Sequence, residues 1–195
     1  MNLHEYQGKE LFRAGGLPVP PGDVARTVEE AEKLAANLGF PVVIKAQVLI
    51  GGRGKAGGVK VVKNGGEFTR EAGRILGMDI RGHAVRKILV TPATEIEKEF
   101  YAGIVLDRKY ETPLLMVSPA GGVDIEDVAR NTPEKILRLH LDGRGLPAYR
   151  ARAAARFLDG RPKVQRQLAD ILRKLAVVYY EQDCSLAEIN PLIVT

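Results

Sequence analysis

Lysine and arginine alternate with glycine in the segment GGRGKAGGVKVV, which follows the apolar segment PVVIK and the residues AQVLI. Glycines let a backbone approach a ligand closely and turn its amides toward oxygen atoms. Four cations supply positive charge at the same place: Lys45, Arg53, Lys55 and Lys60. This combination suits a polyphosphate, and it predicts nucleotide chemistry.

The spacing of this segment differs from the two common nucleotide loops. It has no Gly-Lys-Ser/Thr leading into a helix and no strand-GxGxxG-helix unit. The residues VKVVK that follow favour a second strand, so we expect a loop between two β-strands that folds over phosphates as a flap. A flexible basic hairpin or an RGG-like nucleic-acid segment is the alternative.

Four positions, Lys45 among them, have side chains suited to a site. Lys45 ends an apolar strand, where an ammonium normally has an anionic partner such as phosphate, unless its head reaches solvent. Glu188 and Asn190 stand two residues apart in SLAEINPLIVT, so a strand places both on one face. Their oxygens suit Mg²⁺, although a polar face that meets water is the alternative. Glu99 lies near a predicted junction of lobes, but alone it is typical of a surface glutamate.

The elements that position these residues follow from periodicity and breakers. Leu3 to Arg13 favours a helix, and LPVPPG an extended connector because its prolines block helix. Thr27 and Glu30 form a capping-box pattern before a helix that Gly39 ends. Strands are predicted at PVVIK and VKVVK, followed along the chain by a helix near 67–77 and then by a strand at VRKILVTPAT.

The second half of the chain has a different pattern. FYAGIVLDR and TPLLMVSP flank a polar turn at Lys109 to Glu111, which predicts an antiparallel hairpin and a second sheet. Thr132-Pro133 predicts a helix start. An amphipathic pattern over 164–179 predicts the longest helix, which ends near Asp183, and SLAEINPLIVT predicts a last strand. The fold class is therefore α+β.

Composition limits the class of protein. The 195 residues suffice for one domain or two small lobes, and a net charge of +5 with a pI near 9.3 favours anionic partners. The cations are interspersed with 24 acidic residues, so phosphorylated small molecules fit as well as nucleic acid. The single cysteine, Cys184, excludes an internal disulfide framework. The chain carries no signal-peptide pattern and no apolar run near the roughly 20 residues of a membrane span, which predicts a cytoplasmic protein. Because an uncapped apolar strand ends the sequence, we also expect a fragment.

Together, MNLHEYQGKELF, VVIKAQVLIGGRGKAGGVKVV, AGGVDIEDVA and AEINPLIVT resemble the N-terminal ATP-grasp domain of the succinyl-CoA synthetase β-subunit family. The resemblance covers the whole chain. It implies an ATP-grasp fold of two α+β lobes that clamp a nucleotide. The expected small lobe is 21–98, and the expected large lobe is 1–20 with 99–195, truncated before its end.

The resemblance also implies roles for individual residues. Lys45 and the loop Gly52-Arg53-Gly54 match the phosphate contacts, and Thr94 matches a further nucleotide contact. Thr91 stands where relatives often have glutamate, so contact there is expected through backbone groups. The remaining matches lie in the larger lobe. Glu99 matches a nucleotide contact near the ribose, and Asn190 matches a Mg²⁺ ligand. Glu188 matches the catalytic glutamate that faces a phosphohistidine.

The implied activity is a reversible acid-thiol ligation in the citric acid cycle. Succinate, CoA and ATP (or GTP) with Mg²⁺ give succinyl-CoA through a phosphohistidine of a partner α subunit. The chain stops before the family's second Mg²⁺ ligand, an aspartate, and before its C-terminal domain, so alone it is expected to be inactive. The alternatives are a β subunit of malate-CoA ligase or of a citrate-activating enzyme, a basic nucleic-acid-binding module, and a catalytically dead interaction partner.

Overall fold

The computed structural model describes residues 2–143 and 145–195, and their contacts form two compact units. Unit 1 contains the chain up to Leu11 and Val19–Thr94, and unit 2 contains Phe12–Pro18 and Glu95–Thr195. The sequence-based division placed 1–20 with the larger lobe, whereas the chain up to Leu11 groups with unit 1, where Glu5 forms ion pairs with Lys45 and Arg53. The lobe boundaries as parts of a nucleotide clamp stay a prediction.

The first helix of the chain is α1 (Glu5–Ala14). The elements that follow it in unit 1 are β1 (Asp23–Ala25), α2 (Val28–Leu38), β2 (Val42–Ala46), β3 (Val59–Val62), α3 (Gly65–Leu76), β4 (Asp79–Ile80), β5 (His83–Ala84) and β6 (Ile88–Pro92). Four of these strands form an antiparallel sheet with strand order β1-β6-β2-β3. The helices α2 and α3 pack on this sheet, and β4 and β5 form a two-stranded hairpin before β6.

Alternation along β2 separates the two faces of this sheet. Val42, Ile44 and Ala46 are fully buried in one core with α2 and α3, while Val43 and Lys45 lie on the opposite face. The predicted caps of α2 are confirmed. The hydroxyl of Thr27 accepts from the amide of Glu30 at 3.2 Å, and Gly39 ends the helix with φ of 77°.

The elements of unit 2 are β7 (Lys98–Asp107), β8 (Thr112–Ser118), α4 (Ile125–Asn131), β9 (Leu137–His140), α5 (Ala148–Leu158), α6 (Pro162–Glu181) and β10 (Leu186–Val194). The strands form a second antiparallel sheet with strand order β10-β7-β8-β9. The predicted hairpin is confirmed as β7 and β8, and α6, the longest described helix, packs on the sheet through Leu168, Leu172 and Leu175.

The predicted helix start at Thr132-Pro133 is confirmed, with Thr132 as the N-cap, but the helix is a single 3₁₀ turn, Pro133–Lys135. It stays short because the chain then continues as β9, which pairs with β8. The sequence also gave no sign of α5, which buries Leu158 and three alanines and therefore has a weak apolar stripe. In the described ranges no helix has the length and apolar character needed to cross a membrane.

Candidate functional site

Lys45 and Thr91 lie on the same face of the unit 1 sheet, opposite the face covered by α2 and α3. Val43 pairs directly with Thr91, and directly paired residues of an antiparallel ladder share a face, as do residues two apart on one strand. Thr91 is 4% exposed and therefore buried. Thr94 is exposed just beyond the end of β6. The sheet thus brings two predicted nucleotide contacts together.

The glycine-rich loop connects two antiparallel strands, β2 and β3, as predicted. It is closed by main-chain hydrogen bonds, of which Gly58 N to Arg53 O measures 2.8 Å and Ala46 N to Gly58 O measures 2.7 Å. A Cβ at Gly58 would lie 2.9 Å from Ile80 Cδ1 and 3.2 Å from the carbonyl oxygen of Arg53, so a side chain there would crowd both. The guanidinium of Arg74 donates to the carbonyl of Gly57 at 3.0 Å. The base of the loop is therefore packed in unit 1, whereas residues 54–56 at its tip are exposed.

Lys45 and Arg53 converge on a carboxylate that sequence reasoning did not identify, that of Glu5 in the first turn of α1. Lys45 Nζ lies 3.0 Å from Glu5 Oε1, and Arg53 Nη1 lies 2.9 Å from Oε2. Lys9 Nζ, one turn along α1, lies 3.2 Å from Oε1. The predicted partner of Lys45 was phosphate or solvent, but the structure pairs it with this protein carboxylate. We call these four residues the Glu5 cluster.

The Glu5 cluster keeps net positive charge because one carboxylate faces three cations. Burial by itself would raise the pKa of Glu5, but the charges of Lys45, then Arg53 and Lys9, lower it to about 2. The carboxylate is therefore ionised at neutral pH. Burial and the neighbouring Lys45 lower the pKa of Lys9, which reflects the crowding of cations at this point. An excess of positive charge beside a glycine-rich loop suits a polyanion.

The N-terminal segment is fixed to the end of β2. The amide of Tyr6 donates to Gln47 Oε1 at 3.2 Å, and Gln47 Nε2 donates to the carbonyls of Lys45 and Ala46, each at 3.2 Å. Lys87 Nζ donates to the Tyr6 hydroxyl at 3.3 Å. Tyr6 of the opening motif thus helps to hold Glu5 against Lys45 and Arg53, the two predicted phosphate contacts.

The second group of predicted residues lies in unit 2, on the face of β7 and β10 opposite the core. Phe100, Ala102 and Ile104 enter the core, so Glu99 and Gly103 face the other way. Glu188 pairs directly with Gly103 and therefore shares that face. Glu99 and Glu188, far apart in the sequence, are thus on one surface, which we call the Glu99 face.

Tyr101 also belongs to the Glu99 face, and its ring lies over Gly103. A Cβ at position 103 would lie 2.9 Å from Tyr101 Cζ and would overlap the hydroxyl oxygen. Tyr101 is 1% exposed. Burial, then the nearby Glu188 and Glu126, raise the pKa of its hydroxyl. The tyrosine is therefore neutral at physiological pH.

Asn190 ties the loop of the AGGVD motif to β10. Its Oδ1 accepts from the amide of Gly122 at 2.9 Å, and its Nδ2 donates to the carbonyl of Val123 at 2.9 Å. The amide of Gly121 donates to the carbonyl of Glu99 at 3.1 Å. Gly122 has φ of +69°, and a Cβ there would lie 2.5 Å from Glu99 Oε2. The structure thus brings Glu99, Glu188 and Asn190 to one place, around this loop.

Glu188, in contrast to Glu5, is exposed and has no cation among the groups that shift its pKa. Desolvation by the surrounding protein raises the pKa of its carboxyl group, a hydrogen bond from Asn190 lowers it, and the charge of Glu126 raises it. Asn190 Oδ1 and the Glu188 carboxylate are hard oxygen donors of the kind that Mg²⁺ prefers. Across 2–143 and 145–195, no group of three or more His, Cys, Asp or Glu residues could hold a metal ion. These two side chains therefore fit Mg²⁺ in donor type but supply only part of a coordination shell.

The chain is similar to curated β subunits of succinate–CoA ligases. The chain is 50% identical to the succinate–CoA ligase [ADP-forming] β subunit of Gemmatimonas aurantiaca and 49% identical to the [GDP-forming] β subunit of Thermus thermophilus. Both matches cover all of this chain but only 51% and 52% of those proteins, so it spans about half their length.

Solved structures and a family model complete the comparison. The acetyl-coenzyme A synthetase 1 of Ca. Korarchaeum cryptofilum, in complex with coenzyme A and Ca-AMPCP, has a TM-score of 0.80 at 22% identity, over 98% of this chain and 86% of that one. The ATP citrate lyase of Methanothrix soehngenii has a TM-score of 0.65 at 20% identity, over 100% and 47%. At such identities these likenesses show the fold alone. The ATP-grasp domain model matches residues 2–194, and the chain therefore belongs to the ATP-grasp family.

Proposed function

We propose that this chain is the nucleotide-binding part of the β subunit of a succinate–CoA ligase. The whole enzyme would make succinyl-CoA reversibly from succinate, CoA and ATP or GTP, in the cytoplasm and as a step of the citric acid cycle. The observation that carries the proposal is the placement of Lys45 and Arg53 beside a glycine-rich loop, in a chain 49–50% identical to such β subunits.

Unit 1 would bind the nucleotide phosphates. The ammonium of Lys45 and the guanidinium of Arg53 offer charge-assisted hydrogen bonds, and the backbone of Gly52 and Gly54 carries no side chain to keep a phosphate away. The net positive charge of the Glu5 cluster adds a longer-range attraction for the polyphosphate. Thr91, through its backbone groups, and Thr94 would contact other parts of the nucleotide.

Unit 2 would supply the groups that act at the reacting end of the nucleotide. Glu99 would bind the ribose, and Asn190 Oδ1 would hold Mg²⁺ together with waters and phosphate oxygens. Bound there, the ion would neutralise charge on the phosphates. Glu188 would face a phosphohistidine delivered by an α subunit. Its raised pKa makes the carboxyl group able to hold a proton more readily than a glutamate with the ordinary pKa does.

Calorimetric titration with Mg²⁺-ATP and Mg²⁺-GTP tests the proposal. We expect Lys45→Ala to bind about 10- to 100-fold more weakly, as for loss of a charge-assisted hydrogen bond. The matched control is Lys33→Ala, which removes the same charge from an exposed position on α2 and should bind like the native chain. Equal binding by native chain and Lys45→Ala would exclude Lys45 as a phosphate contact, and the native titrations would rank the two bases.

A further inference from the structure

We infer that Glu5 is a positioning residue that sets the arrangement of the two phosphate-binding cations before a ligand arrives. The inference rests on the proposed function, since it takes Lys45 and Arg53 to be phosphate contacts. Glu5 itself would touch no part of the nucleotide. Its role would be to hold the cations that do.

The two oxygens of the Glu5 carboxylate contact different cations. Oε1 accepts a hydrogen bond from Lys45 Nζ at 3.0 Å and lies 3.2 Å from Lys9 Nζ, while Oε2 forms an ion pair with Arg53 Nη1 at 2.9 Å that lacks hydrogen-bond geometry. The negative charge between Lys45 and Arg53 therefore restrains the separation of the two positive groups. The Glu5 side chain is 18% exposed, which limits competition from water for these contacts.

The carboxylate is itself fixed relative to β2. The next residue, Tyr6, donates its amide to Gln47, whose side chain bonds back to the carbonyls of Lys45 and Ala46. Arg53 Nη1 also donates to the carbonyl of Ala46 at 3.1 Å. Arg53 is thus held from two directions, by the Glu5 carboxylate and by the main chain of β2.

Ordering the cations in advance matters because long charged side chains lose much conformational freedom when they bind a ligand. Without an anion between them, Lys45 and Arg53 would also repel one another and separate. Glu5 removes both costs from the binding step, as preorganisation does in general. Because three cations face this single carboxylate, the cluster remains attractive to phosphate.

A competing role for Glu5 predicts the opposite change in nucleotide affinity when the carboxylate is removed. If the carboxylate mainly occupied the place of a phosphate, its removal would release Lys45 and Arg53 and tighten nucleotide binding. Glu5→Gln separates the two roles, since it keeps the shape of the side chain and removes the charge. The matched control is Glu10→Gln, which makes the same change of charge at an exposed position on the same helix.

Calorimetric titration with Mg²⁺-ATP should be run where circular dichroism shows that every variant is folded. We expect Glu5→Gln to bind at least about tenfold more weakly, the lower end of what loss of a supporting residue costs a binding site. Glu10→Gln should bind like the native chain. Glu5→Asp keeps the charge on a shorter side chain, so its affinity for Mg²⁺-ATP should lie between those of Glu5→Gln and the native chain. Unchanged or tighter binding by Glu5→Gln would overturn the inference.

A second measurement needs no nucleotide. Nitrogen NMR of the Arg53 guanidinium in the unliganded protein should show restricted rotation in the native chain and in Glu10→Gln, and faster averaging in Glu5→Gln. An Arg53 signal that stays equally restricted in Glu5→Gln would refute the positioning role. Failure of the proposed function would instead appear as absence of nucleotide binding by the native chain, while the NMR comparison would still decide the role of Glu5.

Discussion

At the scale of single residues, Glu5 and Glu188 show how surroundings give one side-chain type two behaviours. Desolvation by the surrounding protein opposes the charge of both carboxylates, but three cations outweigh desolvation at Glu5 and hold its pKa near 2. Glu188 has only the Asn190 hydrogen bond in its favour, and Glu126 adds repulsion, so its pKa is raised. Glu5 is therefore suited to a fixed charge, and Glu188 to a group that exchanges a proton.

The raised pKa of Glu188 makes a prediction about stability. Its carboxyl favours the folded state below the ordinary value near 4.5, and this contribution is lost as pH rises through the higher folded-state pKa. Glu188→Gln should therefore have a larger free energy of unfolding than the native chain at pH 8, and little difference at pH 4. Urea unfolding at both pH values measures this.

The control for that experiment is Glu134→Gln, which removes an exposed carboxylate of the same unit. It should leave the free energy of unfolding nearly unchanged at both pH values. A Glu188→Gln variant that is destabilised at pH 8 would mean that the Glu188 charge is favourable in the folded protein.

At the scale of elements, the sequence predicted those helices and strands with a strong local signal. The capping pattern at Thr27 and the alternation in PVVIK identified α2 and β2, and Lys45 with its loop followed from the same pattern. Glu5 could not be found this way, because its contact with Lys45 spans 40 residues and needs the docking of α1. The alanine-rich α5 has too weak an apolar pattern to be identified.

The loop of the AGGVD motif allows a prediction at this scale. An alanine at position 122 would adopt a φ of +69° and would also overlap the Glu99 carboxylate. The matched control, Gly143→Ala, has a φ of +80° with open space around it. We expect the control to lose about 1–2 kcal/mol of its free energy of unfolding, the cost of left-handed backbone for a side chain. Gly122→Ala should lose at least as much in urea unfolding, because the Glu99 carboxylate must also move aside. A smaller loss than that of the control would contradict the prediction.

At the scale of the whole molecule, each of the two units has a hydrophobic core of its own. The ATP-grasp fold could be predicted because sequence motifs from both units belong together in one family. The acid that the proposed ligase would activate could not be predicted, because none of the proposed site residues would contact it. Assaying a full-length version with succinate, malate and citrate identifies that acid, and a preference for malate would overturn the proposed substrate.

The extent of the chain gives the last prediction. Since it spans about half of the β subunits that it matches, we expect it to form no succinyl-CoA when mixed with a succinate–CoA ligase α subunit, succinate, CoA and Mg²⁺-ATP. A full-length β subunit in the same assay is the control. Formation of succinyl-CoA by this chain together with the α subunit would show that the half of the β subunit that this chain matches is sufficient for the ligation.

The packing of Tyr101 on Gly103 has a consequence for evolution. The phenol ring fills the volume that a side chain at position 103 would need, so residue 103 cannot become larger while Tyr101 keeps this position. Relatives in which residue 103 carries a side chain should therefore have a smaller residue at 101, and the two positions should covary across the family.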